Sequence, residues 1–384
     1  MVKLTKRSTL RMFGTGLALS SFAAGTAAAQ ADGEDGDGSE PGDGGDGDGR
    51  TVPVETVVDV RGEPVPENLA LDCDGTLYFG ITAGEVWEVT NPQTQQTGLM
   101  TADLRRVATL PGSVVGVEVV PGGSIYVASS TGGEDTGVWE VPRDGHAPFP
   151  LAAVSGFPND VLYDPDFGRL LVTESVNGAV YEVPLDDTDP EATVWFEDER
   201  LDTDSFGANG LAFGRDGSVY VAVTRATDED ENDVGRLVRV PVGGDGSAGD
   251  GETYLESAEI FGADGITTYG PDVYVAANSQ NRVVRVTPER EVETIAGGDD
   301  GLVFPSDVLF GVTPRQRSDL FVCNFANQTP EEGAILRAHP FADEDDDGDE
   351  TGNGGDGTDD TDEGEGDDGE TDEGGDEQST ESQE

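Results

Sequence analysis

The apolar positions of this chain fall in short runs, and one pattern of runs recurs. Six segments share it: "PENLALDCDGTLYFG" from Pro66, "VVGVEVVPGGSIYVA" from Val114, "PNDVLYDPDFGRLLVT" from Pro158, "ANGLAFGRDGSVYVA" from Ala208, "ADGITTYGPDVYVA" from Ala263 and "PSDVLFGVTPRQRSDLFVC" from Pro305. In each, a short apolar strand leads into a turn and a second apolar strand, and most of the turns carry Gly or Pro. A third strand usually follows: "GEVWEV", "GVWEV", "GAVYEV", "GRLVRV", "NRVVRV" or "GAILRA". Short β-rich runs bounded by turn residues read as strands.

Repetition at a period of roughly forty to fifty residues is the signature of a β-propeller, each repeat making one four-stranded blade. The expected fold is therefore all-β, a six-bladed β-propeller. The last copy has no apolar run after "GAILRA", because the chain turns acidic there. A strand-like segment, "VPVETVVDV" from Val52, precedes the first copy. Letting this N-terminal strand complete the last blade closes the ring and removes an exposed sheet edge. Two separate β-domains are the rival arrangement, but the copies show no boundary between them.

Composition sets the limits of that domain. The chain has 384 residues and a formal net charge of -59. Residues 32–52 and 342–384 are dense in Asp, Glu and Gly and lack an apolar period, so neither can bury enough to offset its ordering entropy. Both are expected to be disordered, leaving 53–341 as the propeller. Residues 1–31 read as an export signal: basic "MVKLTKRSTLR", a mildly apolar stretch broken by Gly and Ser, then "AQA" before Asp32. Lys6-Arg7 with Leu10 is similar to a twin-arginine signal with Lys in the first position. An exported, extracellular monomer without a membrane anchor is expected. So acidic a chain repels nucleic acid and anionic membranes. Lysine all but disappears after Lys6, and acids dominate even between the strands, as in proteins of extreme halophiles. Cys73 and Cys323 lie too far apart in sequence to argue for a disulfide by themselves.

In a propeller the first strand of every blade lines the central channel. Equivalent positions then gather at one mouth. The residue two before the first strong apolar position is Glu67, Val115, Asn159, Asn209, Asp264 and Ser306. Asn and Asp are common at strand starts for local reasons. As a set, however, Glu67, Asn159, Asn209 and Asp264 supply oxygen donors and two charges in one register, the chemistry of a hard divalent cation, Ca²⁺ above all.

At these residues the sequence resembles the regucalcin/gluconolactonase family, also called the senescence-marker-protein family, within the calcium-dependent phosphotriesterase superfamily. The matching motifs are "PENLA" with Glu67, "FPNDV" with Asn159, "ANGLA" with Asn209 and "ADGI" with Asp264, in the family's order. The resemblance covers about residues 53–341. It implies that Glu67, Asn209 and Asp264 hold the metal, with Asn159 a further ligand or a contact to substrate or water. It also implies metal-assisted hydrolysis of a lactone or ester, with Asp264 as ligand and general base. Two departures stand out. Blade 1 reads "EN" where lactonases have "EG", and Phe157 occupies the position of an arginine two residues before the blade-3 asparagine. His146 and His339 are expected in outer loops, and no Gly-x-Ser-x-Gly elbow is present. The alternative is a non-catalytic propeller stabilised by calcium that binds a ligand or protein.

Overall fold

The computed structural model describes residues 52–62 and 64–341. The expected signal peptide, acidic spacer and acidic tail lie outside these residues. The described chain is a six-bladed β-propeller, with antiparallel four-stranded sheets repeated around the ring. Its innermost strands are Pro66–Leu71, Ser113–Val119, Pro158–Asp164, Ala208–Phe213, Ala263–Tyr269 and Pro305–Phe310.

Closure occurs as the sequence implies. Val54–Asp59 pairs antiparallel with Ala334–Ala338, so the first strand of the chain is the fourth strand of the last blade. A two-residue strand, Leu99–Met100, adds parallel to Val58 and Asp59. It comes from the connection before the last strand of blade 1 and covers the seam's outer edge. Nothing in the apolar pattern announced it, since one short pairing needs no periodicity.

The blades hold together through buried side chains between neighbouring sheets. Each of the described apolar clusters sits between two adjacent blades. The seam cluster joins Val57 and Val58 of the closing strand and Phe321, Cys323 and Ile335 of blade 6 to Leu69, Leu77 and Phe79 of blade 1. Leu171 and Val180 of blade 3 meet Val219, Val221 and Val238 of blade 4 in the same manner. Second strands are sandwiched on both faces, which explains their unbroken apolar runs: every residue of Leu77–Ile81 is buried. Cys323 packs as a small hydrophobe in the seam, Cys73 is exposed, and both are free thiols.

Glycine at the channel has a steric reason. A Cβ on Gly210 would lie 2.4 Å from the Asp264 carbonyl oxygen, and one on Gly265 would lie 2.1 Å from Asp307 Oδ1. The "NG" and "DG" motifs therefore mark places where one inner strand abuts the next. No described helix is long and apolar enough to cross a membrane.

Candidate metal centre

Each inner strand leaves regular pairing at the same place. In blade 1 the register shifts between Pro66 and Leu69, in blade 3 between Pro158 and Val161, in blade 4 between Ala208 and Leu211, and in blade 5 between Ala263 and Ile266. Blades 2 and 6 shift at Val114/Gly116 and Pro305/Asp307. Glu67, Val115, Asn159, Asn209, Asp264 and Ser306 all fall inside these irregularities. Bulges commonly re-aim side chains beside active sites.

Glu67, Asn159, Asn209 and Asp264 line one opening at the channel mouth, with about 50 Å³ of space. The structure thus brings the four expected residues together. The other two ring positions do different work. Val115 is buried, and Ser306 Oγ donates to the Glu67 carbonyl oxygen at 2.5 Å.

A shell of polar groups orients the four. Asn159 Nδ2 donates to Ser175 Oγ at 2.9 Å, and Asn209 Nδ2 to Thr224 Oγ1 at 2.9 Å. With the nitrogens engaged by these hydroxyls, and that of Asn209 also by Asp264, each amide has its oxygen to offer the channel. Asn278 Nδ2 donates to Asp264 Oδ2 at 2.7 Å. Sequence reasoning missed Ser175, Thr224 and Asn278, each of which belongs to or follows the second strand of its blade.

The residues after the ring positions form another layer. Asn68 Oδ1 accepts Val117 N–H at 2.8 Å, Asp160 Oδ2 accepts Leu211 N–H at 2.7 Å, and Asp307 Oδ2 accepts Leu69 N–H at 2.9 Å. Each bond reaches from one blade to the next. At the corresponding positions of blades 2, 4 and 5 stand Gly116, Gly210 and Gly265, where the neighbouring strand leaves no room for a side chain. This latch-or-glycine alternation was visible in the aligned copies as the residue following each ring position.

Acidic groups crowd the channel. Burial, then the charges of Asp264, Asp307 and Asp160, push the Glu67 carboxyl well above its ordinary range, every contribution having one sign. Burial raises Asp264 to about 7 against the hydrogen bonds from Asn278 and Asn209. It raises Asp160 to about 6 against bonds from Leu211 and Val161, and Glu118 to about 7 against bonds from Tyr163 and Val119. Asp307 is likewise raised, first by burial and then by Asp160. Such a set repels itself when ionised, and a cation relieves it. The donor chemistry fits a hard divalent cation: oxygen atoms only, from two carboxylates and two amides. Among the described residues, no group of three or more His, Cys, Asp and Glu side chains gathers as a metal cluster, so a cation here depends on Asn159 and Asn209.

Above the acids sits an aromatic collar. Phe157, Phe206, Phe304 and Phe325 line the same opening. Phe157 and Phe206 meet edge to face with ring centroids 5.3 Å apart, and Phe304 and Phe325 lie 6.0 Å apart. The histidines lie elsewhere. His146 is 80 % exposed, whereas His339 bonds Asp319 at 3.1 Å and is only partly exposed. His339 lies in the loop that follows Ala334–Ala338, facing Glu55 of the closing strand and Asp319 of blade 6.

Comparison with solved structures shows a likeness of fold. A strictosidine synthase-like N-terminal family matches residues 56–89, the closing strand and first three strands of blade 1. No curated protein matches the sequence. A presumed gluconolactonase of known structure aligns with a TM-score of 0.55 and 16 % identity, covering 76 % of this chain and 92 % of its own. A gluconolactonase of Xanthomonas campestris aligns with a TM-score of 0.53 and 14 % identity, over 74 % of this chain and 88 % of its own. A luciferin-regenerating enzyme gives 0.54 and 17 %, over 74 % and 94 %.

Proposed function

Starting from a propeller of the gluconolactonase-like kind, alike in fold to proteins bearing that name, we propose that this protein is an exported, calcium-dependent hydrolase acting on a lactone or ester. The observation that carries the reading is the convergence of Glu67, Asn159, Asn209 and Asp264 on one narrow opening. Bringing mutually repelling carboxylates into a buried site is costly unless a cation joins them.

Glu67, Asn209 and Asp264 would hold the ion, with Asn159 as a further ligand or a contact to substrate or water. When bound, a divalent cation supplies Lewis-acid polarisation of a carbonyl. The chain's own groups supply the rest. Asp264 is the candidate general base, and Asn278 fixes its Oδ2 at 2.7 Å. Thr224 and Ser175 fix the two amides. The phenylalanine collar limits water at the mouth. Export follows from the twin-arginine-like sequence of residues 1–31.

A second reading rests on the blade-to-blade bonds of Asp160 and Asp307, which make the channel a structural joint. On that reading calcium only staples the ring. Calorimetric calcium titration of the parent, Asp264→Ala and Asn209→Ala, together with a lactone and ester panel in high salt with and without chelator, separates the two. A hydrolase loses turnover with calcium, and Asp264→Ala loses more turnover than occupancy explains. Asn209→Ala weakens calcium binding less, because no charge is removed. If both variants bind calcium as the parent does, the metal centre is refuted.

A further inference from the structure

The collar and the space behind it bear on the substrate's body, beyond its reacting carbonyl. The opening over the acids has room for only a small group, about 50 Å³. Phe304, Arg225 and Asn327 line it and also line an adjoining groove of about 380 Å³. A substrate's reactive end can sit at the ring only if the remainder lies across the collar and along that groove. Phe261, Val303 and Phe304 give the groove an apolar side next to the collar, its other lining residues are polar, and Arg225 lies over the Phe261 ring at 5.7 Å.

The backbone is shaped to hold this wall in place. Phe304 has φ of +48°, a left-handed conformation that bulky residues rarely adopt. Its N–H is tied to Asn281 Oδ1 at 2.9 Å, and Asn281 is itself left-handed with φ of +52°. An aromatic residue kept in so unfavourable a conformation at the junction of mouth and groove points to a role for its ring. On the opposite rim Phe157 and Phe206 meet edge to face, so that side of the mouth is apolar too.

We infer that the site selects lactones or esters with an apolar body, an alkyl or aryl substituent that lies on Phe304 and passes Phe157, and discriminates against polyhydroxylated sugar lactones. Hydroxyl groups placed against these rings would lose water without gaining partners. This rests on the hydrolase reading for the identity of the reacting group, but not for the preference itself.

The test compares two six-membered lactones, δ-decanolactone with an alkyl chain and glucono-δ-lactone with hydroxyls. The calcium-loaded full chain should show kcat/KM at least about tenfold higher for the alkyl lactone. Phe304→Asn removes the ring while tolerating the left-handed backbone, and Phe157→Arg puts a cation on the rim. Each should reduce the preference several-fold, chiefly through KM. Binding of the corresponding lactams, measured by calorimetry, reads the same preference without turnover. If neither lactone is hydrolysed but the alkyl lactam binds tighter and loses affinity in Phe304→Asn, the hydrolase reading falls and the apolar preference stands. Equal binding of both lactams by the parent, or a preference unchanged in both variants, overturns the inference.

Discussion

The channel acids make a quantitative prediction for Asp264→Asn in calcium-free protein. Burial, partly opposed by Asn278 and Asn209 and aided by the Asp160 charge, moves Asp264 from 3.8 to about 7. Between those pH values the folded chain keeps a proton that the unfolded chain releases. Its favourable contribution is therefore complete below the unfolded value and is lost as pH rises through the folded one. The displacement corresponds to about 4 kcal/mol by pH 8. Asparagine has the shape of the neutral acid and keeps an oxygen for Asn278 Nδ2, but cannot ionise. The calcium-free variant should thus melt higher than the calcium-free parent at pH 8. At about 2 °C per kcal/mol for a domain of this size, the gain is up to about 8 °C. The gap should close as pH is lowered toward 4. Added calcium should narrow the gap: ligand at a hundredfold over Kd raises the parent's stability by about 2.7 kcal/mol, and the variant, having lost one ligand charge, should gain less. Scanning calorimetry at matched high salt, with chelator or calcium, reads both effects. A calcium-free variant that melts at or below the parent at pH 8, with an undiminished calcium response, would refute the reasoning.

The remaining predictions concern the joints of the ring. Asp307→Ala strips the buried Leu69 and Val308 N–H groups of their acceptors and should cost about 1–3 kcal/mol per orphaned group, whereas Asp307→Asn keeps an oxygen for one of the two and removes a repelling charge, and should be the milder change in calcium-free protein. Denaturant midpoints of the two variants check this, and equal losses would count against the latch. Deleting residues 52–60 removes Val57 and Val58, both fully buried in the seam, and exposes the edge of Ala334–Ala338. Each valine contributes about 1.5–3 kcal/mol on burial, so the truncated ring should lose its cooperative melt or associate through the open edge, as sedimentation would show.

How far the sequence carried the structure depends on which physical signal each feature leaves. Blade number, inner-strand register and closure by Val54–Asp59 were legible because burial imposes apolar runs and because an unpaired edge needs a partner. The ring of Glu67, Asn159, Asn209 and Asp264 was legible for a different reason: repetition turns a fixed register into a spatial position, and the bulges carrying the residues recur at that register. Asp160 and Asp307 stood one residue further along in the same copies. They escaped notice because a residue flanking a candidate ligand ordinarily points to the opposite face of a strand. The bulge breaks that alternation, so both neighbours belong to the channel layer, one at the mouth and one at the joint between blades.

The collar was least legible, and its physics explains why. Phe157, Phe206 and Phe304 precede their inner strands, Phe157 and Phe304 each two residues before the ring position of its copy, whereas Phe325 follows the second strand of its blade. Aromatic residues do not recur at that register in the other copies, which carry Val65, Ser113, Gly207 and Gly262 there. The collar's rings nevertheless face four oxygen-bearing side chains whose placement is periodic. The repeated part of the chain builds a polar centre that any such propeller can share. The non-repeated loops build the apolar rim, and a variable loop is where specificity is expected to reside. Chemistry and selectivity thus divide along the boundary between strand and loop, which is why Phe304→Asn should alter the choice of substrate while leaving calcium affinity unchanged.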